Sequence, residues 1–220
     1  MRKVLISLLL LVMLSLSVAF AQTAQPAQKT VALPPVNKAG TMPLEQAMAQ
    51  RRSARAFKPT PLTPQQMSQL LWAAQGMTDS PGHRAAPSAH SRYYITVYAV
   101  SSEGLFRYDP KQHALVPLPL KDAKAVLNQA GGQPSFASAP FCLVVAGDYK
   151  RAAAENPKED SAKLVNLEAG HVAQNVLLEA TALELAGVPA AGINVTKVQQ
   201  TLGLDQASVP IYVVPLGQAK

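Results

Sequence analysis

Three arginines and a serine lie together where a predicted helix gives way to an extended segment. Residues 51–57 read RRSARAF, and Arg51, Arg52, Ser53 and Arg55 stand out in a chain in which 15% of residues are charged. Guanidinium groups and a hydroxyl at one corner can hold a phosphate through charge-assisted, partly bidentate hydrogen bonds. Arginines at a helix C-terminus also stabilise the helix dipole, by about 0.3–1 kcal/mol each. The corner by itself leaves both interpretations open.

The remaining candidates for chemistry form no familiar set. The histidines show no HxH, HExxH or i,i+4 pairing, so we expect no metal site; they are His83, His90, His113 and His171. Ser88 and His90 are near each other, but a G-x-S-x-G elbow is missing, as are phosphate-loop and dinucleotide fingerprints. The net charge of +7 is modest and aromatic residues make up 5% of the chain. Because the basic residues are scattered, binding to nucleic acid is not indicated.

The elements that must position these residues follow from periodicity and turn signals. Helices are predicted from Pro43 to near Ser53, from Thr63 to Gly76 with a Thr63–Gln66 capping box, and over about 121–130, 160–186 and 195–202. Strands are predicted at 93–100, 105–109, 114–118, 141–147 and 210–217. This order indicates an α+β sandwich in which helices flank one mainly antiparallel sheet. Cys142 lies in the apolar run FCLVVAG and is interpreted as a small buried hydrophobe.

The longest predicted helix contains residues that a buried helix would not ordinarily use. Gly170 in its middle costs about 1 kcal/mol relative to alanine. Gln174 lies on the same side as Gly170, and Asn175 lies on the neighbouring strip. One interpretation is that Gly170 allows a close helix crossing while Gln174 and Asn175 bond to backbone. The other is that Gly170 admits a flat ligand or a partner helix.

The N-terminal residues are predicted to be a targeting segment. A basic start at residues 1–3 precedes an apolar run at 4–18, and Ala19-Phe20-Ala21 supplies small residues at the cleavage positions. We therefore expect residues 1–21 to be a Sec-type signal peptide and the protein to be periplasmic or secreted. The apolar run is shorter than the roughly 20 residues of a membrane-spanning helix. Residues 22–42 are predicted to be a flexible linker, or an arm that becomes ordered against a partner, and residues 43–220 form the domain.

Taken together, several stretches resemble the nitroreductase-like flavoprotein family, most closely its SagB-type dehydrogenase branch. They are RRSARAF, LTPQQMSQLLWAAQG, RAAPSAHSRYYITVYAV, AGHVAQNVLLEATALELAGVPAAGI and IYVVPLG. The similarity runs from about residue 43 to 217. It implies a homodimer with FMN bound at its interface.

The resemblance also implies which residues hold the cofactor. The FMN phosphate would contact Arg51, Arg52, Ser53 and Arg55, and a loop approaching from the other subunit would contribute Pro87, Ser88 and Ala89. Gln174 would lie near the cofactor, with Gly170 allowing tight packing. The turn formed by Pro189, Ala190, Ala191 and Gly192 would lie along the isoalloxazine ring. His90 is a speculative candidate for proton handling, because imidazole titrates near neutral pH.

Three departures from the family pattern bear on function. His90 and Arg92 bring polar groups to a loop that is small and aromatic in SagB-type relatives. Only Gln218, Ala219 and Lys220 follow the last predicted strand, where many relatives place a further phosphate-binding cation. Ala191 stands where many nitroreductases carry glutamate. We expect an exported FMN-dependent oxidoreductase acting on a small molecule or peptide; the alternative is a catalytically degenerate FMN-binding or interaction protein of the same fold.

Overall fold

A seven-stranded sheet organises the part of the chain that the computed structural model describes, residues 29–220. The predicted signal peptide and its cleavage site lie outside these residues. The strands are β1 (Val31–Ala32), β2 (Ile95–Ser101), β3 (Gly104–Asp109), β4 (Ala114–Leu118), β5 (Phe141–Gly147), β6 (Ala186–Gly187) and β7 (Val209–Gly217). The helices are α1 (Leu44–Gln50), α2 (Pro64–Gln75), α3 (Ala123–Gly131), α4 (Pro134–Ser138), α5 (Tyr149–Glu155), α6 (Ser161–Ala182) and α7 (Val195–Thr201).

The strand order is β1-β4-β3-β2-β5-β7-β6, and every neighbouring pair is antiparallel. All seven residues of β5 are buried. Its side chains alternate between two hydrophobic clusters, with Leu143 and Val145 in one and Cys142 and Val144 in the other. Burial raises the pKa of the Cys142 thiol to about 12. Cys142 is therefore a protonated core residue, as its sequence context predicts.

Helices cover both faces of the sheet. Residues of α2, α5 and α6 share the first cluster, and residues of α3, α4 and α7 share the second. The predicted α+β sandwich with a mainly antiparallel sheet is thus confirmed. None of the helices between residues 29 and 220 has the length and apolar character needed to cross a membrane.

The start of α2 forms as its residues predict. The backbone N–H of Gln66 donates to Thr63 Oγ1 over 3.2 Å, and the backbone N–H of Thr63 donates to Gln66 Oε1 over 2.9 Å. This reciprocal capping satisfies two donors that the first turn of a helix leaves without partners. It fixes the end of α2 that follows the arginine corner in sequence.

Some element predictions are wrong, each for a local reason. The predicted helix over 160–186 ends at Ala182, because Glu184 adopts a positive φ of 58° and Gly187 pairs with Leu216 of β7. Edge pairing there overrides helix propensity. Helices α4 and α5 and strands β1 and β6 were not predicted, since each is too short to establish a period.

The described part of the segment predicted to be a linker packs on its own chain. Val31 pairs with Leu115 of β4. Ser68 Oγ of α2 donates to the Pro34 carbonyl over 2.7 Å, and the Gln69 side chain bonds both the N–H and the carbonyl of Asn37. Polar side chains of α2 thus satisfy backbone groups that a proline-rich segment cannot pair internally. Residues 31–37 of the segment predicted to be a linker or an arm, called the arm below, are thus held against the domain.

A half-buried histidine joins this arm to the sheet. His113 Nε2 lies 2.8 Å from Ser68 Oγ and 3.1 Å from the Pro34 carbonyl, and Nδ1 lies 2.9 Å from the Tyr108 hydroxyl. Since a carbonyl only accepts, Nε2 carries the proton and Nδ1 accepts from Tyr108. Burial lowers the pKa of His113, opposed by a smaller effect of the Pro34 carbonyl. The neutral ring is therefore the form that suits this network.

Acid is expected to loosen the arm. A depressed folded-state pKa means that the unfolded segment binds a proton first, so stability is complete above about pH 6.5 and falls as the pH drops toward the folded pKa. The Leu33 amide, which donates to the His113 carbonyl over 3.1 Å, reports this opening. Its hydrogen exchange, corrected for intrinsic rates, should lose protection between pH 7.5 and 5. In His113→Gln that pH dependence should disappear; equal slopes in both proteins would contradict the assignment.

Candidate functional site

The predicted phosphate-binding corner lies at the C-terminal end of α1. Arg51 is its capping residue, and its backbone N–H donates to the Ala47 carbonyl. Arg52 Nη1 donates to the Ala49 and Arg51 carbonyls, each over 2.8 Å, so Arg52 fulfils the helix-capping interpretation. None of the ion pairs between residues 29 and 220 involves Arg51, Arg52 or Arg55. The corner therefore presents guanidinium charge that no carboxylate of the described chain neutralises.

A backbone bridge joins the corner to the segment after α6. Ser53 forms a parallel bridge with Gly187, and the Ala54 N–H donates to the Gly187 carbonyl over 3.2 Å. A Cβ at Gly187 would lie 2.8 Å from Leu216 Cδ2 and 2.9 Å from the Pro215 carbonyl oxygen. Only glycine fits between these strands. The tertiary structure thus joins two sequence motifs that are far apart along the chain.

The last residues of the chain lie beside the corner. Phe57 bridges Ala219, the Lys58 N–H donates to the Gln218 carbonyl, and the Lys220 N–H donates to the Ala56 carbonyl. Lys220 is therefore held next to the residue that follows Arg55.

Small residues form most of the turn at 189–192, which follows the Ser53–Gly187 bridge in the chain. Ala190 and Val213 exchange backbone hydrogen bonds of 3.0 Å, which ties the turn to β7. Ala191 and Gly192 are exposed, and the Gln133 side chain donates to the Gly192 carbonyl over 2.9 Å. An extended chain gains at most about 3.6 Å per residue, so the three steps from Gly187 to Ala190 place this turn close to the corner.

The loop with Pro87, Ser88 and Ala89 is the third predicted part of the site. A buried glutamate that was not predicted to belong to the site holds this loop in place. Glu168 of α6 is 2% exposed, and its carboxylate accepts from the Ser88 hydroxyl over 2.7 Å. It also accepts from the N–H groups of Tyr94 and Ile95 and from Gln75 Nε2. The sequence does contain a signal for Glu168, which is an acidic residue in the apolar stretch of a central helix. A buried carboxylate needs several hydrogen-bond donors, so such a residue indicates a local network.

The loop after Ala89 is strained and polar. His90, Ser91 and Tyr93 have φ values of 52°, 54° and 56°, a region that residues other than glycine seldom occupy. His90 Nε2 lies 3.0 Å from Glu159, and Arg92 Nε lies 3.9 Å from Glu155. The imidazole of His90 thus contacts the exposed carboxylate of Glu159. This contact does not bear on the predicted role of His90 in proton handling.

The corner and the loop lie toward opposite halves of α6. Ser88 is fixed at Glu168, whereas Gly187 lies against Leu177, because a Cβ at Gly187 would be 3.2 Å from Leu177 Cδ2. Glu168 and Leu177 are about 14 Å apart along α6 at 1.5 Å per residue. Within one copy of the chain, the predicted phosphate-binding residues and Ser88 are therefore attached to separate parts of this helix.

Between these halves, α6 presents an open face. Leu167 is 51% exposed, Gln174 is exposed, and a Cβ at Gly170 would meet no atom within 4 Å. Asn175 instead donates to the Ala85 carbonyl over 3.0 Å, as one interpretation predicts. Gly170 makes no close helix crossing inside the described chain, which corrects that part of the interpretation. Leu44 and Met48 of α1 are each 56% exposed as well.

These features define an α+β protein with a cationic corner, an adjoining turn of small residues and an exposed face of α6 that includes Leu167 and Gln174. No group of three or more His, Cys, Asp or Glu residues suited to a metal ion occurs within residues 29–220. The side-chain donors at the corner are guanidinium groups and the Ser53 hydroxyl, which suit an anion better than a metal ion.

Comparison with known proteins agrees with this class. Residues 48–218 match the model of the nitroreductase family. A Methanocaldococcus jannaschii protein described as a "putative nitroreductase" is 31% identical over 182 residues, covering 80% of this chain and 90% of its own. The crystal structure of a "putative nitroreductase" from Ralstonia eutropha is 31% identical with a TM-score of 0.79, covering 89% of this chain and 92% of that one. NADPH:FMN oxidoreductase from Vibrio harveyi is 25% identical with a TM-score of 0.59, covering 80% and 69% of the two chains.

The chain belongs to the nitroreductase family. The family and the fold identify it as a nitroreductase-family oxidoreductase, in agreement with the resemblance found in its motifs.

Proposed function

We propose that this protein is an FMN-dependent oxidoreductase that works as a homodimer. The main observation behind the proposal is the Ser53–Gly187 bridge. It holds the cationic corner next to the segment that leads into the turn of small residues at 189–192. Such a pair of surfaces suits a ligand with an anionic tail and a flat ring. The relative from Vibrio harveyi, whose name includes FMN, supports this choice of cofactor.

The residues present fit FMN at both of its ends. Arg51, Arg55 and Lys220 would neutralise the phosphate, with the Ser53 hydroxyl as a further donor. Arg52 has one nitrogen bonded to the helix C-terminus and keeps other N–H groups for an anion. Pro189, Ala190, Ala191 and Gly192 would lie along the ring, and their small side chains leave a planar group room to approach.

When bound, FMN supplies the two-electron redox chemistry. The protein's own contribution is to hold the phosphate and to orient backbone donors toward the ring. Gln133 fixes the Gly192 carbonyl, which orients the peptide groups of the turn. A backbone N–H in this turn would stabilise negative charge on the reduced ring without a titrating side chain.

A two-fold dimer would complete the site. The middle of α6 falls at His171, beside Gly170. If two copies of α6 cross there in antiparallel orientation, the loop at the N-terminal half of one helix approaches the corner at the C-terminal half of the other. Pro87, Ser88 and Ala89 of one subunit would then reach the ring held by its partner. The exposed Leu167, Leu44 and Met48 supply apolar surface for this contact.

The dimer can be tested by adding charge to this face. Leu167→Glu introduces a carboxylate at a position that is half-exposed in the single chain, so the fold should persist. The Kd of the dimer should rise by at least about tenfold. Light scattering after size-exclusion chromatography measures the mass. Val195→Glu on α7 is the matched control, because Val195 is also an exposed hydrophobic residue but lies outside this face. A variant Leu167→Glu that remains as dimeric as the wild type would exclude α6 as the interface.

We further propose a SagB-type reaction, in which a small molecule or a peptide is dehydrogenated and the electrons pass to oxygen or a quinone. The motif similarity noted above supports this branch. Export through the signal peptide of residues 1–21 would favour such acceptors, because NAD(P)H is scarce outside the cytoplasm. Anaerobic mixing of candidate donors with the FMN-loaded protein, monitored by loss of flavin absorbance, distinguishes these options.

The direct test of the proposed function is a titration of the purified protein with FMN. The expected result is a bound flavin whose visible spectrum is shifted and whose fluorescence changes on binding, with one FMN per chain. Failure to retain FMN at micromolar concentration would remove the enzyme proposal. Binding without reduction by any donor would instead favour the degenerate FMN-binding alternative, which the strained loop at His90, Ser91 and Tyr93 supports.

A further inference from the structure

Glu168 is a buried carboxylate that the flavin chemistry does not use. It is 2% exposed, and no arginine or lysine of the described chain forms an ion pair with it. Its charge is balanced by donors from three elements and, beyond them, by Arg84, whose Nη1 donates to Gln75 Oε1 over 2.9 Å. Burying a charge is costly without such donors. A carboxylate here therefore needs a structural or functional reason.

The donors show what the carboxylate organises. Oε2 accepts from Ser88 Oγ over 2.7 Å and from the Tyr94 N–H over 3.0 Å. Oε1 accepts from the Ile95 N–H over 3.2 Å and from Gln75 Nε2 over 3.0 Å. Ser88 Oγ also accepts from the Tyr93 N–H over 2.9 Å. One side chain thus fixes both ends of the strained segment between Ser88 and β2.

An amide could not replace this carboxylate. Glutamine would turn one acceptor into a donor that faces donor groups, leaving a backbone N–H or the Ser88 hydroxyl unsatisfied. A cavity of about 310 Å³ lies against the same loop, lined by residues of the loop and of α6 that include Ala89 and Glu168. Arg151 Nη2 holds the far end of the loop by donating to the Arg92 and Tyr93 carbonyls over 2.7 Å each, whereas Glu168 holds the Ser88 side chain beside the cavity.

We propose that Glu168 is the positioning residue for the flavin-contacting loop, acting through the Ser88 hydroxyl. This inference rests on the proposed function, in which Pro87, Ser88 and Ala89 approach the partner's FMN. Glu168 acts from inside the subunit and touches no cofactor itself. It sets the affinity and orientation of the flavin through the loop that it holds.

The test compares Glu168→Gln with Glu179→Gln. Glu179 is the matched control, because it lies on the same helix and accepts a single side-chain hydrogen bond, from Gln69, far from the loop. Three readouts are needed: the Kd for FMN, amide exchange at Tyr94 and Ile95 in the FMN-free protein, and the visible circular dichroism of the bound flavin. We expect Glu168→Gln to bind FMN about tenfold more weakly, with faster exchange at both amides and an altered visible circular dichroism of bound flavin. Glu179→Gln should match the wild type in all three.

Ser88 variants keep the test decisive if Glu168→Gln folds poorly. Ser88→Ala removes the link while Glu168 keeps its other three donors, so FMN should again bind about tenfold more weakly. Ser88 has extended backbone angles of φ −135° and ψ 146°, which threonine adopts readily. Ser88→Thr should therefore restore FMN affinity.

Two outcomes would overturn the inference. If Glu168→Gln or Ser88→Ala binds FMN within about twofold of the wild type while the Tyr94 and Ile95 amides exchange faster, Glu168 stabilises the loop without positioning the flavin. The proposed function then stands. If the wild-type protein binds no FMN, both this inference and the proposed function fail.

Discussion

Replacing Arg51 and Arg55 together with alanine is expected to weaken FMN binding by at least about a hundredfold, because hydrogen bonds to charged groups contribute about 1.5–3 kcal/mol each. Arg55 is exposed and Arg51 is half-buried, and neither forms an ion pair within residues 29–220, so the melting temperature without FMN should change little. Fluorescence titration with FMN measures the affinity.

Riboflavin and a distant arginine provide the controls. Riboflavin lacks the phosphate, so it should bind the wild type and the double variant with similar affinity. Arg107→Ala removes the same charge from an exposed position on β3, four strands from β6 and therefore about 19 Å across the sheet. If Arg107→Ala weakens FMN binding as much as the double variant, the effect is one of net charge and the assigned corner is wrong.

The second large effect is expected at Gly187. Valine there would place its Cβ 2.9 Å from the Pro215 carbonyl oxygen, and backbone atoms cannot move aside as a side chain can. Overpacking of this kind costs about 1–3 kcal/mol. Because Ser53 bridges Gly187, the displacement should also shift the corner relative to the turn at 189–192 and weaken FMN binding. Urea unfolding and FMN titration measure the two effects.

Gly170→Ala is the matched glycine control. A Cβ at Gly170 meets no atom within 4 Å, and the residue lies inside α6. Alanine should therefore raise the free energy of unfolding by up to about 1 kcal/mol. The urea unfolding of both variants should be compared in the Leu167→Glu background, which removes the proposed dimer contact, and FMN titration should be done without that substitution. Equal stability of Gly187→Val and the wild type would show that β6 accommodates a side chain and that the bridge to Ser53 is not tightly held.

Several local features could be predicted from sequence because their causes are local. The capping box of Thr63 and Gln66, the buried strand at Phe141–Gly147 and the meander from Ile95 to Leu118 depend on neighbouring residues or on a period of two. The stop at Ala182 could not be predicted, because it depends on pairing with a strand more than 30 residues later. Short elements such as β1 and α5 carry too few residues for a period to show.

For the site, the sequence by itself determined the chemistry of the parts: a cluster of arginines at the end of α1, a turn of small residues after α6 and a glycine in the middle of α6. Only the tertiary structure decided which parts meet. It joined Ser53 to Gly187, placed Lys220 beside the corner, and tied Ser88 to Glu168 on the other half of α6. The physical reason is that residue types report local propensity and charge, whereas the partner of a buried carboxylate or of a short edge strand is set by the fold as a whole.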